Sequence, residues 1–257
     1  MGSLSLESRR VRPAVLVIAA TDSSGGAGLT RDVRVLTDFS TDVLCAITAV
    51  TAQSDALVSA VHHVPPQLIR AQIAAAFATR RVGAIKIGML GTRASVEAVV
   101  ESLPADASIP IVLDPVLVSS SGAVLLDGSG LTAMREKLFP RVALLTPNIP
   151  EAATLLGEGI ATSEHALIDQ AQRLLALGPQ AVLLKGGHTD GRDAVDLLVS
   201  NAHGLQRISS PRLQATSRGT GCALASAIGA KLAHGTALLD ACRVAKRYVA
   251  EEMLGRS

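Results

Sequence analysis

Hydrophobic positions along the 257-residue chain fall into two kinds of run that alternate from end to end. Short β-branched stretches at 14–20, 43–50, 83–87, 110–113, 142–145 and 181–184 read as strands, and the Ala- and Leu-rich stretches between them read as helices. This alternation predicts an α/β fold with a mostly parallel sheet covered by helices. Each strand runs into a loop with Gly, Pro, Asp or Asn, and such loops emerge at the carboxyl ends of the strands, where open sheets hold their ligands. Residues 53–64 interrupt the pattern with a polar turn and the run Ala56–Val61, expected to be an extra strand or a flap over the sheet edge. The runs 194–199 and 205–208, separated by Asn201-Ala202-His203-Gly204, predict a hairpin, and two apolar helices near 221–233 and 236–254 close the chain. Nothing in the pattern divides the chain by repeat, linker or charge block. One domain over 13–257, behind a flexible leader at 1–12, is the expectation.

Composition narrows this picture. With no Trp, one Tyr and three Phe among 48% hydrophobic residues, the core must be aliphatic, which favours strands flanked by helices over an aromatic ligand cage. Lys and Arg number 24 against 22 Asp and Glu, without a basic stripe, so there is no electrostatic footprint for nucleic acid. Cys45, Cys222 and Cys242 are too few and too scattered for a zinc cluster or a disulfide scaffold and fit a reducing compartment. No run approaches the roughly 18 continuous apolar residues of a spanning helix. The N-terminal segment lacks the apolar stretch of a secretory signal and carries Leu6 where a myristoylation signal wants Ser or Thr. A cytoplasmic protein without a membrane partner is expected.

Candidate chemistry gathers in the loops. Thr21-Asp22-Ser23-Ser24-Gly25-Gly26-Ala27-Gly28 follows the first strand and opens a helix; its glycines allow close approach to a ligand, yet it matches no nucleotide fingerprint and also reads as a plain tight turn. In the following helix Asp32 falls within the stripe Leu29, Val33, Leu36, where a carboxylate needs a donor such as a ligand hydroxyl or ring amine. Gln53, at the end of the second strand beside Thr51, offers a donor and an acceptor to a ring edge.

Near the C-terminus, Ser217-Arg218-Gly219-Thr220-Gly221-Cys222 precedes an Ala-rich helix. Glycines at 219 and 221 permit a turn whose amides converge on one anion, reinforced by the helix N-terminus, and a phosphoryl group fits such a nest best. Cys222 lies in the first helical turn, where a thiolate is favoured and a hydroxyl proton can be accepted; the alternative is a small residue packed under the loop. Asp114, just past a strand, and Asn148 with Glu151, at a helix entry, supply hard oxygen ligands suited to magnesium beside phosphates, most simply through water. Asn148 and Glu151 equally form a capping box. Lys185, in Lys185-Gly186-Gly187-His188, is either a phosphate-neutralising cation or the end of a strand.

Together, Thr21-Asp22 with Ser24–Gly28, Ala49–Gln53, Lys86-Ile87-Gly88-Met89-Leu90, Leu113-Asp114-Pro115-Val116, Thr146-Pro147-Asn148 with Pro150-Glu151-Ala152, Lys185–His188 and Gly219–Cys222 resemble the hydroxymethylpyrimidine and phosphomethylpyrimidine kinases of thiamin biosynthesis, in the ribokinase superfamily. Seven motifs in order span about residues 14–250. The resemblance implies a three-layer α/β/α sandwich with a small β flap, a homodimer, and ATP with Mg2+ as cofactors. It implies a small heteroaromatic alcohol, or its phosphate, as substrate, bound by Ala20, Asp32, Thr51, Gln53, Met89 and Val116. The amides of Gly219, Thr220, Gly221 and Cys222 would form the anion hole, with Cys222 as catalytic base. Asp114, Asn148, Glu151, Lys185 and Arg218 would face Mg-ATP, with Asp114 and Glu151 reaching the metal through water.

The chain departs from that pattern in places. Ala20 stands where Gly is usual, Ser23 where Pro is common, and Thr51 where an aliphatic residue is typical. Ser120 and Ala123 replace a usual Lys and Asp, and Arg218 replaces a common His, where it either assists a substrate that already bears phosphate or makes a surface salt bridge. A pyridoxal or pyridoxine kinase, and a non-catalytic pyrimidine sensor, are the rival expectations.

Overall fold

Ala14–Ala20 are apolar at every position because the strand they form is covered on both faces, and all seven are buried. The computed structural model describes residues 12–105, 108–119, 121–186, 193–212 and 218–255. The leader expected at 1–12, apart from Arg12, lies outside the described residues, as do Ser120, Gly187-His188 and Ser217.

The strands are β1 (Ala14–Asp22), β2 (Asp42–Gln53), β3 (Val58–His63), β4 (Val82–Ile87), β5 (Ile111–Leu113), β6 (Leu144–Leu145), β7 (Ala181–Leu184), β8 (Asp193–Ser200) and β9 (Gly204–Pro211). They make one sheet in the order β3-β2-β1-β4-β5-β6-β7-β8-β9. The six strands from β2 to β7 in that order run parallel, while β3 at one edge and β8 and β9 at the other are antiparallel. Thus 53–64 holds an extra edge strand, β3, which returns antiparallel to β2 after a turn at 54–57, and the predicted 194–208 hairpin forms. The strand expected at 142–145 contracts to Leu144–Leu145, since Phe139–Arg141 turn as a short helix and Val142 only leaves it.

Alternate residues of each strand serve different layers. On one face Leu16, Ile18, Ile85, Ile87 and Leu113 pack in one core with α2 (Pro66–Thr79), α3 (Arg93–Ser102), α4 (Gly128–Ala133), α5 (Ile149–Leu156) and α6 (Glu164–Ala176). On the other, Val15, Val17, Val112, Leu144 and Leu183 meet α1 (Gly28–Asp38), α7 (Thr220–Ala233) and α8 (Leu238–Leu254). Each buried Leu or Ile contributes about 1.5–3 kcal/mol, and both faces of the sheet are lined with them. The fold is the expected three-layer α/β/α sandwich.

The order of strands sets the place of the site. From β1 the chain moves one way to β2, then returns to lay β4 on β1's other side. The carboxyl ends of β1 and β4 therefore flank a crevice at a topological switch point. Among the described residues no helix is long and apolar enough to cross a membrane.

Candidate active site

Two glycine loops close that crevice by touching each other. The first leaves β1, whose register with β2 shifts between Ala19 and Thr21, and enters α1 at Gly28. Gly28 has φ +58°, and a Cβ there would lie 2.6 Å from the Ala20 carbonyl oxygen. The second loop enters α7 through Gly219, with φ +73°, where a Cβ would meet the Gly26 carbonyl oxygen at 2.2 Å. Only glycine allows both the backbone angle and the approach. Gly219 is the N-cap of α7 and offers no side chain to its first amides, which leaves them for an anion.

Asp22 pins the first loop. Its carboxylate accepts hydrogen bonds from the backbone N–H groups of Ser24 (2.9 Å) and Ala27 (2.9 Å) and from the Ser24 hydroxyl (2.8 Å). Arg218 ties three segments together: it reaches Asp22 at 3.2 Å and, across the loop, the Ser54 carbonyl at 3.0 Å and Asp55 at 2.6 Å in the flap turn. Both carboxylate contacts are salt bridges at the rim of the loop. Ser23, in place of proline, exchanges two 2.8 Å hydrogen bonds with the Gln53 backbone and clips the loop to β2.

Between the loops opens a cavity of about 420 Å³. Ala20, Thr51, Gln53, Met89, Val116, Asp114, Asn148, Glu151, Lys185, Gly219, Gly221 and Cys222 all line it, as the sequence anticipates. One wall is apolar, built by Ala20, Met89, Leu125 and Val116, with Ala49 buried behind them. Thr51 donates its hydroxyl to the Thr21 carbonyl (2.8 Å), fastening β2 to the first loop rather than leaving a free polar group at the wall. Beyond Gly221 lies a second cavity of about 410 Å³, bounded by Leu224, Lys246, Val249 and Met253 and sharing Asn148, Lys185 and Gly221 with the first. Thr220 lines this second cavity. Nothing in the sequence pattern marks it, because its lining comes from α7, α8 and β9, which meet only in three dimensions.

Asp32 is the main departure from expectation. The buried side of α1 carries Arg31, Asp32, Val35 and Leu36, with Val33 36% exposed, so the stripe is turned from the one read in sequence. Asp32 is fully buried below the cavity floor, with one carboxylate oxygen 2.7 Å from Lys86 Nζ and the other 2.7 Å from Ser226 Oγ. Both oxygens are engaged within the protein, and Lys86, not Asp32, lines the cavity. Burial works to lower the Lys86 pKa, but the charge and hydrogen bond of Asp32 and the charge of Asp114 outweigh it and keep the ammonium charged.

The opposite wall carries a second buried pair. Lys185 Nζ lies 3.0 Å from Asp114 and 3.8 Å from Glu151. Burial favours a neutral Asp114, but the ammonium groups of Lys185 and Lys86 and hydrogen bonds from Lys185 and Cys222 hold its carboxyl below the usual value. For Glu151 burial wins, pushing its pKa up to about 7 against Lys185 and the Asn148 N–H. The capping box is present too: Asn148 Oδ1 accepts from the Glu151 N–H (2.8 Å) and Glu151 accepts from the Asn148 N–H (2.7 Å). Capping and cavity-lining thus coincide.

Cys222 departs from expectation in its chemistry. Burial pushes its thiol up to about 12, with Asp114 and Asp32 adding to the rise, and this overcomes Lys86 and a hydrogen bond from the Gly28 backbone. The thiol is therefore protonated at neutral pH despite its helix N-terminus. Among the described residues no group of three or more His, Cys, Asp or Glu side chains converges to hold a metal directly.

Residues 22–256 match the family model described as phosphomethylpyrimidine kinase. A hydroxymethylpyrimidine/phosphomethylpyrimidine kinase of Escherichia coli is 38% identical over 239 residues, covering 93% of this chain and 90% of that protein. A bifunctional thiamine-biosynthesis protein of Geobacter sulfurreducens is 41% identical over 93% of this chain, which spans 48% of that longer protein. Among solved structures, a phosphomethylpyrimidine kinase from Clostridium difficile superposes with a TM-score of 0.82 at 34% identity, over 94% of this chain and all of that one. A pyridoxal kinase from Staphylococcus aureus, in complex with AMP-PCP and pyridoxal, superposes with a TM-score of 0.83 at 29% identity, over 93% and 87% of the two chains.

Proposed function

The chain belongs to the phosphomethylpyrimidine kinase family, and from that membership we propose that it transfers the γ-phosphoryl group of ATP to 4-amino-5-hydroxymethyl-2-methylpyrimidine and to its monophosphate, in thiamin biosynthesis. The observation that carries the reading is the uncapped N-terminus of α7, which faces an apolar wall across one cavity and opens onto a second cavity on its other side.

In this reading the pyrimidine lies against Met89, Val116 and Ala20 with Gln53 at its edge, and its hydroxyl points to the Gly219–Cys222 loop. The nucleotide occupies the second cavity, and its phosphates cross Gly221 and Lys185 to reach the first. Phosphoryl transfer asks a protein for positioning and charge neutralisation more than for covalent help, and the loop amides and Lys185 supply these. Lys185 already stands between Asp114 and Glu151, so the residues fit a magnesium ion carried on the phosphates and reached through water, not a protein cage. Magnesium, when bound, spreads the negative charge of the transferring group.

Cys222 relays the hydroxyl proton: its sulfur accepts it while its own S–H proton passes along the hydrogen bond to the Asp114 carboxylate. A loose transition state makes that proton acidic only as the new P–O bond forms, so a preformed thiolate is not required. Asp32 serves from beneath the floor.

ADP release with Mg-ATP and each of hydroxymethylpyrimidine, its monophosphate and pyridoxal, with products resolved by mass, tests the reading. Turnover of both pyrimidines supports it. Selective turnover of pyridoxal, which the structural likeness to pyridoxal kinases favours as the second reading, would replace it, and binding without ADP release would leave a sensor.

A further inference from the structure

Both loops owe their positions to the helices they open. Asp32 lies in the second turn of α1 and Ser226 in the second turn of α7, while Lys86 projects from β4 between them. All three are 0% exposed, and the two 2.7 Å contacts on Asp32 join them into one chain that runs from α7 through α1 to the sheet. We propose that Asp32, Lys86 and Ser226 form a charged strut that positions the two glycine loops for phosphoryl transfer, so that Asp32 acts through Lys86 and not by touching the substrate ring. The proposal rests on the transfer reaction put forward above.

Stability does not account for such a group. Taking two charges out of water costs more than their attraction commonly returns, and apolar replacements of both partners are often neutral or stabilising. Geometry gives the strut a different use. Lys86 Nζ sits under the cavity floor, so close that a Cβ on Gly88 would lie 3.0 Å from it, and Lys86 lines the cavity that Cys222 and Gly221 cap. Asp32 is its hydrogen-bond acceptor, which leaves two further N–H donors on an ammonium whose side chain lines the cavity. A fixed positive charge there, oriented by a carboxylate that is itself oriented by Ser226, lies beneath the point where negative charge develops in transfer.

The test replaces both charges together. Asp32→Leu with Lys86→Met keeps the core apolar and should fold with a Tm at or above that of the wild type, while kcat for ADP release falls about 100-fold and KM for the alcohol changes less than about 3-fold. A folded double variant with wild-type kcat would overturn the strut. Should that variant not fold, Ser226→Ala decides, because it removes one hydrogen bond and leaves the ion pair intact; it should lose about 3- to 10-fold in kcat at constant KM, and an unchanged kcat overturns the proposal. Assays use whichever of hydroxymethylpyrimidine and pyridoxal the wild type turns over, so a preference for pyridoxal overturns the pyrimidine reading while still testing the strut. A wild type inert towards both overturns both.

Discussion

The two ends of the main cavity are built from opposite materials. At the ring end, Ala20, Met89, Leu125 and Val116 make an apolar wall, with the neutral side chains of Thr51 and Gln53 beside it. At the transfer end, the Asp32–Lys86 and Asp114–Lys185 pairs are held almost wholly out of water, with Glu151 beside them. An apolar wall binds by area and shape, so each residue contributes separately and exchange is cheap. Buried charges depend on one another, since removing one leaves its partner unpaired. The positions expected to depart from the family's pattern fall on both sides of that division. Ala20 and Thr51 fall at the ring end, and Ser23 and Arg218 fall at the loop rim, where they hydrogen-bond Gln53, Asp22 and Asp55. Nothing in the structure explains Ala123, whose backbone N–H bonds Ser119 within its own loop.

Substitutions at each end should separate the two regimes. The largest effect is expected from Lys185→Met, which removes the cation between Asp114 and Glu151 and should lower kcat about 1000-fold; a loss under tenfold in initial rates of ADP release would place charge neutralisation elsewhere. Gly219→Ala forces a Cβ into the Gly26 carbonyl at positive φ. It should cost about 100-fold in kcat together with about 1–3 kcal/mol of stability, read by thermal unfolding beside the kinetics, and a silent variant would show that the loops do not need their contact. At the ring end Gln53→Ala should raise the alcohol's KM about tenfold and leave kcat within a factor of about three. An equal fall in kcat would mean that the ring end takes part in the transition state.

The smallest effect is one of stability. The raised pKa of Glu151 means that the folded state binds its proton more tightly than the unfolded chain does, whose carboxyl titrates near 4.5. Its favourable contribution is complete below pH 4.5 and is lost as pH rises through about 7. Against Glu151→Gln, the wild type should therefore lose on the order of 2–3 kcal/mol between those limits, measured by urea unfolding without nucleotide. Parallel pH profiles for the two proteins would remove the burial of Glu151 as a cost.

Much of this was legible along the chain. The strand and helix alternation, the flap, the C-terminal hairpin and both glycine loops follow from local periodicity and from residues whose backbone chemistry is fixed by type, as with Gly28 and Gly219. Motif order brought Asp114, Asn148, Glu151 and Lys185 to one end of the sheet, since loops after parallel strands share an edge. What sequence could not supply was the partner of each buried charge. Lys86 stands out only as a lysine in an apolar strand, and that signal, a charge which must find a counter-charge in the core, was enough to ask for a partner but not to name Asp32, 54 residues away.

The sequence by itself determined the layers, the order of the loops and the residue types at the site, because these depend on hydrophobic period and on the conformational limits of glycine and proline. Only the tertiary structure decided which face of α1 is buried, that Asp32 lies below the floor, that Cys222 keeps its proton and that a second cavity adjoins the first. Each of those depends on how closely segments far apart in the chain approach, and burial and charge pairing change with distances that no local pattern encodes.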